Sequence, residues 1–365
     1  MIGRRGFVTI AGFIMGGVVG AQGYQSPDLS GVVLFPADNP WHFDVSTFPV
    51  HPNSANLVNS VGASTALHPD FGTQYDGAPW GIPYMLVGSA QAKLPVSFDY
   101  ADESDPGPYP VPLDAPIEGG SASTGDRHVL VVDTSAKLLY EMWDAHPQSN
   151  SWKAGSGAKF DIASNALRPE TWTSADAAGL PVLPGLVRYD EIRRGVIDHA
   201  IRMTVSTSRK EYIWPARHQA GSTTSPNAPA MGERFRLKAS FDTAGYPPAA
   251  KTVIVAMKKY GLIVADNGSN WFITGAPDDR MPDDQLNALK AIKGRDFEAV
   301  LAVDSLGKPI LPGSGVGVKN RLGGLRQKPV GQGHDVLGRE FGSARNLAKG
   351  DDLVVPLGGN RKPDK

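Results

Sequence analysis

The chain has 365 residues, a net charge of −1 and no cysteine, which excludes disulfide frameworks, thiolate metal centres and cysteine nucleophiles. Hydrophobic residues make up 41%, enough for a sizeable core, while glycine and proline together reach about a fifth without a Gly-x-y period, so the chain reads as turn-rich and globular and not as collagen. The small net charge is a cancellation between an acidic body and basic ends, and an acidic body disfavours nucleic acid as the main partner.

Residues 1–21 read as an export signal. Arg4 and Arg5 precede an apolar run, 7–19, that is too short for a membrane span and suits a signal h-region, with small residues for cleavage after Ala21. Arg4-Arg5-Gly6-Phe7-Val8 resembles a twin-arginine signal, although Gly3 and Thr9 depart from that pattern. The expected mature protein starts near Gln22, is secreted or periplasmic, and has no later run long enough to span a membrane.

Residues 22–304 read as a single β-rich domain. Early strands are expected at 32–35, 82–87 and 94–100, and the proline-rich stretch 105–116 as an extended crossing. The clearest β signal is 128–133 followed by 137–143, a hairpin. The stretch 152–186 reads as loop. Further strands are expected at 199–206, 211–214, 233–240, 262–266, 270–274 and 298–303, with Asp266-Asn267-Gly268-Ser269 as a hairpin turn. Helices are expected at 249–260, with Pro248 in the first turn, and at 283–292. The pattern predicts a mainly β fold: a β-sandwich or jelly-roll-like domain with long Gly/Pro-rich loops and two or three short helices. Residues 305–365 form a Gly-rich basic tail, expected to be largely disordered.

Walker A, Gly-x-Ser-x-Gly and His-Glu-x-x-His motifs are absent from the sequence. Candidate chemistry rests on polar residues at strand ends and in loops. Asp126 and His128 open the hairpin, and Glu141 shares a strand face with Leu139 and Trp143, where apolar neighbours favour a general acid. His199 lies on the apolar face of the next strand, after Arg188, Asp190 and Glu191. Trp214, Arg217 and His218 join an aromatic platform to a cation and an imidazole, a combination suited to sugars. Arg234, Arg236 and Lys238 alternate with Phe235 and Leu237 as a basic row for acidic groups. Asp99, Asp102, Glu103 and Asp105 cluster hard oxygen ligands, for which calcium is the expected ion, without EF-hand spacing. The rival reading of these positions is structural: paired ions, satisfied core groups and solvated strand faces.

Four segments carry a resemblance: FPADNPW at 35–41, TGDRHVLVVD at 124–133, LPGLVRYDE at 183–191 and YGLIVADNG at 260–268. They resemble a group of large secreted bacterial proteins without an assigned activity, which implies one exported domain and brings no catalytic residues. The leading expectation is an exported glycan-active enzyme working at a cleft lined by carboxylates, His, Arg and Trp. As a hydrolase it would use Glu141 with Asp126, Asp190 or Glu191. As a lyase it would use His199 or His218 as base, with Arg217 or Arg234 neutralising a uronate. The alternative is a non-catalytic carbohydrate-binding or cell-envelope structural protein.

Overall fold

The computed structural model describes residues 23–304 and 307–313; the segment 1–21 read as an export signal and nearly all of the basic tail lie outside the described residues. In chain order the strands are β1 (His68–Asp70), β2 (Gln74–Tyr75), β3 (Ala78–Pro79), β4 (Tyr84–Val87), β5 (Val96–Phe98), β6 (Val129–Asp133), β7 (Leu138–Trp143), β8 (His146–Pro147), β9 (Trp152–Ala154), β10 (Ser156–Asp161), β11 (Ile201–Val205), β12 (Arg234–Leu237), β13 (Leu262–Asn267), β14 (Phe272–Thr274) and β15 (Phe297–Val300). The α-helices are α1 (Ser54–Val61), α2 (Tyr189–Arg194), α3 (Pro248–Lys259) and α4 (Asp283–Leu286). The fold is mainly β, with several sheets and short helices, and its stacked sheets give it a sandwich-like build.

The larger sheet runs β1-β14-β11-β13-β12-β15 and mixes parallel and antiparallel pairs. Helices α3 and α1 pack on it through Ala250, Val253, Ile254, Met257, Leu57 and Val61. Pro248 begins α3 at a position where its missing N–H costs nothing. The smaller sheet, β10-β7-β6-β4, is buried on both faces. One face carries Leu130, Val132, Leu139 and Phe160 and is covered by Leu29, Phe35, Leu183 and Leu186. The opposite face carries Val129, Val131, Tyr140 and Met142 and meets Trp152, Ala154, Val96 and Phe98 of the three-stranded sheet β5-β9-β8. Burial on both faces explains the unbroken apolar run Val129-Leu130-Val131-Val132, where a half-exposed strand would alternate.

The hairpin forms as expected, with Asp133 opposite Leu138 and Val129 opposite Met142. Other expectations need correction. The stretch read as loop from 152 contains β9 and β10. Its glycines weaken the β pattern, yet a Cβ at Gly157 would sit 2.3 Å from the Phe98 ring. Residues 32–35 and 211–214 form no strand; of the latter only Tyr212 makes an isolated bridge, to Met231. The turn after Asp266 does not join a hairpin, because β11 lies between β13 and β14 and pairs with both. The expected helix 283–292 ends as an α-helix at Leu286 and continues as a 3-10 helix, Asn287–Ala291. Helices α1 and α2 were not expected from periodicity; α2 is short and starts inside the charged run after Arg188.

Candidate functional site

The candidate residues fall into three groups, two of which meet along one loop, residues 173–178. This loop crosses between the smaller sheet and the edge of β11. On one side His128 points its Nε2 at the Ala175 carbonyl, 2.9 Å away, and its Nδ1 at Glu118 Oε2, 2.6 Å away. Burial would lower the His128 pKa, but the Glu118 carboxylate beside it raises the value to about 9. Asp126, two residues earlier, is exposed and accepts a long bond from Trp143 Nε1 at 3.4 Å. Beneath this surface Asp176 binds Arg202 through both oxygens, at 2.7 and 2.8 Å, and Arg202 also reaches Asp266 at 3.1 Å and Thr274 at 2.9 Å. Burial and Asp176 push Asp266 up to about 7 against the pull of Arg202.

On the other side of the loop His218 points Nδ1 at the Ala177 carbonyl, 2.7 Å away. Its Nε2 faces Glu103 Oε2 at 3.9 Å, too far for a hydrogen bond, so that nitrogen's bonding capacity is not spent on Glu103. Glu103 Oε2 accepts the Thr173 amide at 3.1 Å. Arg217 pairs with Glu170 at 2.6 Å and donates to the Arg168 carbonyl at 2.9 Å; Tyr212 hydroxyl donates to the same Glu170 carboxylate. Glu170 is exposed, so the Arg217 pair is weak and open to exchange. His218, Arg217 and Glu103 are each about a quarter exposed, between 20% and 32% of the side chain.

The third group is closed. His199 Nε2 lies 2.9 Å from Glu191 Oε1, and Glu191 is also bound by the Arg188 guanidinium and, at 3.0 Å, by the Arg188 amide. Burial would raise the Glu191 pKa, but Arg188 and His199 outweigh it and hold the group below its usual range. Asp190 sits 3.7 Å from Arg188 Nε and is buried too. This cluster fixes the start of α2 and offers no surface to a substrate.

Glu141 is fully buried. Its oxygens accept the amides of Val182 and Leu183 at 2.8–3.0 Å, so it caps the short 3-10 helix Leu183–Gly185. Burial pushes its pKa up to about 7, against the pull of those two amides. The apolar face read from alternation is real, but it is a closed interior and not a cleft wall. The basic row of β12 is likewise turned into the structure. Arg234 donates to the Pro40 carbonyl, Arg236 to Val45, Ser46 and Phe48 carbonyls and to Glu298, and Lys238 to the Arg295 carbonyl. The segment 40–48 covers the face that alternation left to solvent. Trp214 packs on Phe43, with ring centroids 5.6 Å apart, at the edge of a small apolar cluster.

The expected calcium ligands do not share a centre. Asp99 pairs with Lys153 at 3.1 Å, Asp105 with Arg168 at 2.5 Å, and Glu103 turns toward Thr173 and His218. Asp102 lies exposed in the short helix Ala101–Glu103. Five participants were missed by sequence reasoning: Glu118, Arg168, Glu170, Asp176 and Arg202. Glu118, Glu170 and Asp176 lie in loops without periodicity. Arg202 stands in β11, and its loop partner Asp176 leaves no periodic signal. One small hollow, about 20 Å³, is lined by Phe35, Trp41, Phe160 and Leu180 and takes in none of the candidates named from the sequence. No described helix is long and apolar enough to cross a membrane. No protein-family profile, curated protein or solved structure matches the chain.

Proposed function

We propose that the chain is an exported polysaccharide lyase that works on an extended polymer at the open surface around His218. The observation that carries this reading is the His218 geometry. Its Nδ1–H is held by the Ala177 carbonyl, which leaves Nε2 as an acceptor on a partly exposed ring next to Arg217. Among the bases and cations considered, His199 and Arg234 are buried, whereas His218 and Arg217 are adjacent and accessible.

In this reading a uronate carboxylate displaces Glu170 from Arg217, and the guanidinium takes up the charge that develops as the acidic C5 proton leaves. His218 Nε2 accepts that proton. The electron pair forms the C4=C5 double bond, the C4–O bond breaks, and the leaving oxygen takes a proton from water at the open edge. Glu103, facing the imidazole, stabilises its cationic form after transfer. The hydrolase reading is weaker, because Glu141 and Glu191 are closed off and their oxygens are taken up by protein donors. The export-like segment and the resemblance to secreted bacterial proteins support an extracellular setting.

The test is a panel of polyuronates assayed by the ultraviolet absorbance of the new double bond. Turnover on at least one member is expected, falling at least about a hundredfold in His218→Ala and in Arg217→Ala. Binding without turnover across the panel would instead support a carbohydrate-binding protein, and full activity in His218→Ala would overturn the assignment of the base.

A further inference from the structure

We propose that Glu118, Asp126 and His128 form a binding site for one divalent transition-metal ion of the zinc or manganese class. The site is separate from His218 and from the expected calcium loop, and the argument does not depend on the lyase reading.

The three residues bring an imidazole nitrogen and two carboxylate oxygens within 4.8 Å of one another. Neighbouring donors on a common ion at about 2.0–2.2 Å lie about 3.0–3.5 Å apart, so binding opens the His128–Glu118 pair by about half an ångström and draws Asp126 in by about an ångström. Asp126 is exposed and can make that shift.

His128 is the stronger part of the case. Its side chain is 2% exposed, and its Nε2 lies 2.9 Å from the Ala175 carbonyl. A carbonyl only accepts, so Nε2 must carry the hydrogen. In the neutral ring Nδ1 then presents a lone pair, yet Glu118 Oε2 faces it at 2.6 Å. Without an ion a proton lies between them, as an Nδ1–H···Oε2 hydrogen bond, and a metal ion binds here in its place. A ring whose far N–H is held by a backbone carbonyl is also the usual arrangement of a metal-ligating histidine.

The surrounding charge favours an added cation. Asp126 lies near the same point, and Asp176 and Asp266 lie behind it sharing one cation, Arg202. The nearby Arg127 guanidinium faces the carbonyls of Ser121, Ser123 and Ala145 and not the carboxylates.

The donors are held in place before any ion arrives. Glu118 N–H donates to the His128 carbonyl at 3.0 Å, so these two ligands sit on one backbone rung. Mixed nitrogen and carboxylate donors favour zinc, manganese or cobalt over calcium, which takes six to eight oxygens. With Asp126 exposed and Glu118 half-buried, one side of the ion faces solvent.

The experiment uses the full chain, stripped with chelator and titrated with Zn²⁺ by calorimetry and with Co²⁺ by visible absorption. The expected result is one ion per chain with Kd below about 10 µM, and a Co²⁺ spectrum that shows nitrogen ligation. Asp126→Asn and Glu118→Gln should each weaken binding by at least about tenfold and abolish the zinc-dependent rise in Tm. Asp126 is exposed, so its variant folds, and circular dichroism checks both. Asp102→Asn is the control and should bind as the parent does. Absence of saturable binding by the folded parent would overturn the proposal, as would unchanged affinity in both ligand variants.

Discussion

Glu233 shows what burial does to a carboxylate with little help. It is 2% exposed, and burial pushes its pKa up to about 7, with Arg209 and the Ala230 amide pulling the other way. A carboxyl whose folded pKa exceeds its unfolded value binds its proton more tightly when folded. Its contribution to stability is therefore present below about pH 4.5 and is lost as pH rises toward 7. Glu233→Gln removes that loss while keeping the shape. Urea unfolding at pH 5 and pH 8 should show the variant gaining on the parent by about 1–3 kcal/mol between the two values. An equal difference at both pH values would mean that Glu233 ionises freely in the folded chain. Arg217 gives a second residue-scale prediction. Its partner Glu170 is exposed, so Glu170→Gln should change stability by less than about 0.5 kcal/mol in thermal melts.

At the scale of single elements, β10 and β12 carry the contrast between what sequence patterns reveal and what they hide. Gly157 in β10 lies against Phe98 and Tyr109, so Gly157→Ala drives a methyl group into two aromatic rings and should cost about 1–3 kcal/mol. Gly31, with nothing within 4 Å of its would-be Cβ, is the matched control, and Gly31→Ala should stay within about 0.5 kcal/mol in the same urea titration. The glycines that let aromatic rings close on β10 are the ones that made 152–186 look like loop. The hairpin of β6 and β7 was legible because its apolar run is long and its turn is short. On β12 alternation placed Phe235 and Leu237 inward correctly, but it could not show that residues 40–48 would cover the other face. Local periodicity carries no information about a segment nearly 200 positions away. The candidate site was legible to the same degree. Asp126 and His128 stand next to a strong strand signal, and His218 follows a Trp-Pro-Ala-Arg run. Their neighbours Glu118 and Glu103 reach them only through tertiary contacts. Arg236→Met tests the covering segment: it leaves the Ser46 and Phe48 carbonyls and Glu298 without the Arg236 donor, while Val45 keeps the Phe48 amide, and should cost about 2–4 kcal/mol. Limited proteolysis should then cut within residues 40–50, where the parent resists.

Across the whole molecule, the two main sheets are tied by the buried Asp176–Arg202 pair. Asp176 sits in the loop that carries Ala175 against His128 and Ala177 against His218, while Arg202 belongs to the centre of the larger sheet. The pair is bidentate and almost completely buried, so its Coulomb attraction is set against a large desolvation cost. Removing only one partner leaves an uncompensated charge inside. Arg202→Met should therefore cost about 3–5 kcal/mol, and Asp176→Leu a similar amount. The double variant should recover part of the loss, because two apolar side chains need no counter-charge; the part not recovered is Asp266, which loses Arg202 as its cation. Apolar contacts between the sheets remain in it: Leu183, Leu186 and Ala276 still pack on the smaller sheet. What the double variant should not recover is the position of the loop, since Arg202 no longer anchors residue 176. The expected result is stability above either single variant by urea unfolding together with faster amide exchange across residues 173–178. Full protection of that loop in the double variant would show that the carbonyl contacts to His128 and His218 hold it without the ion pair.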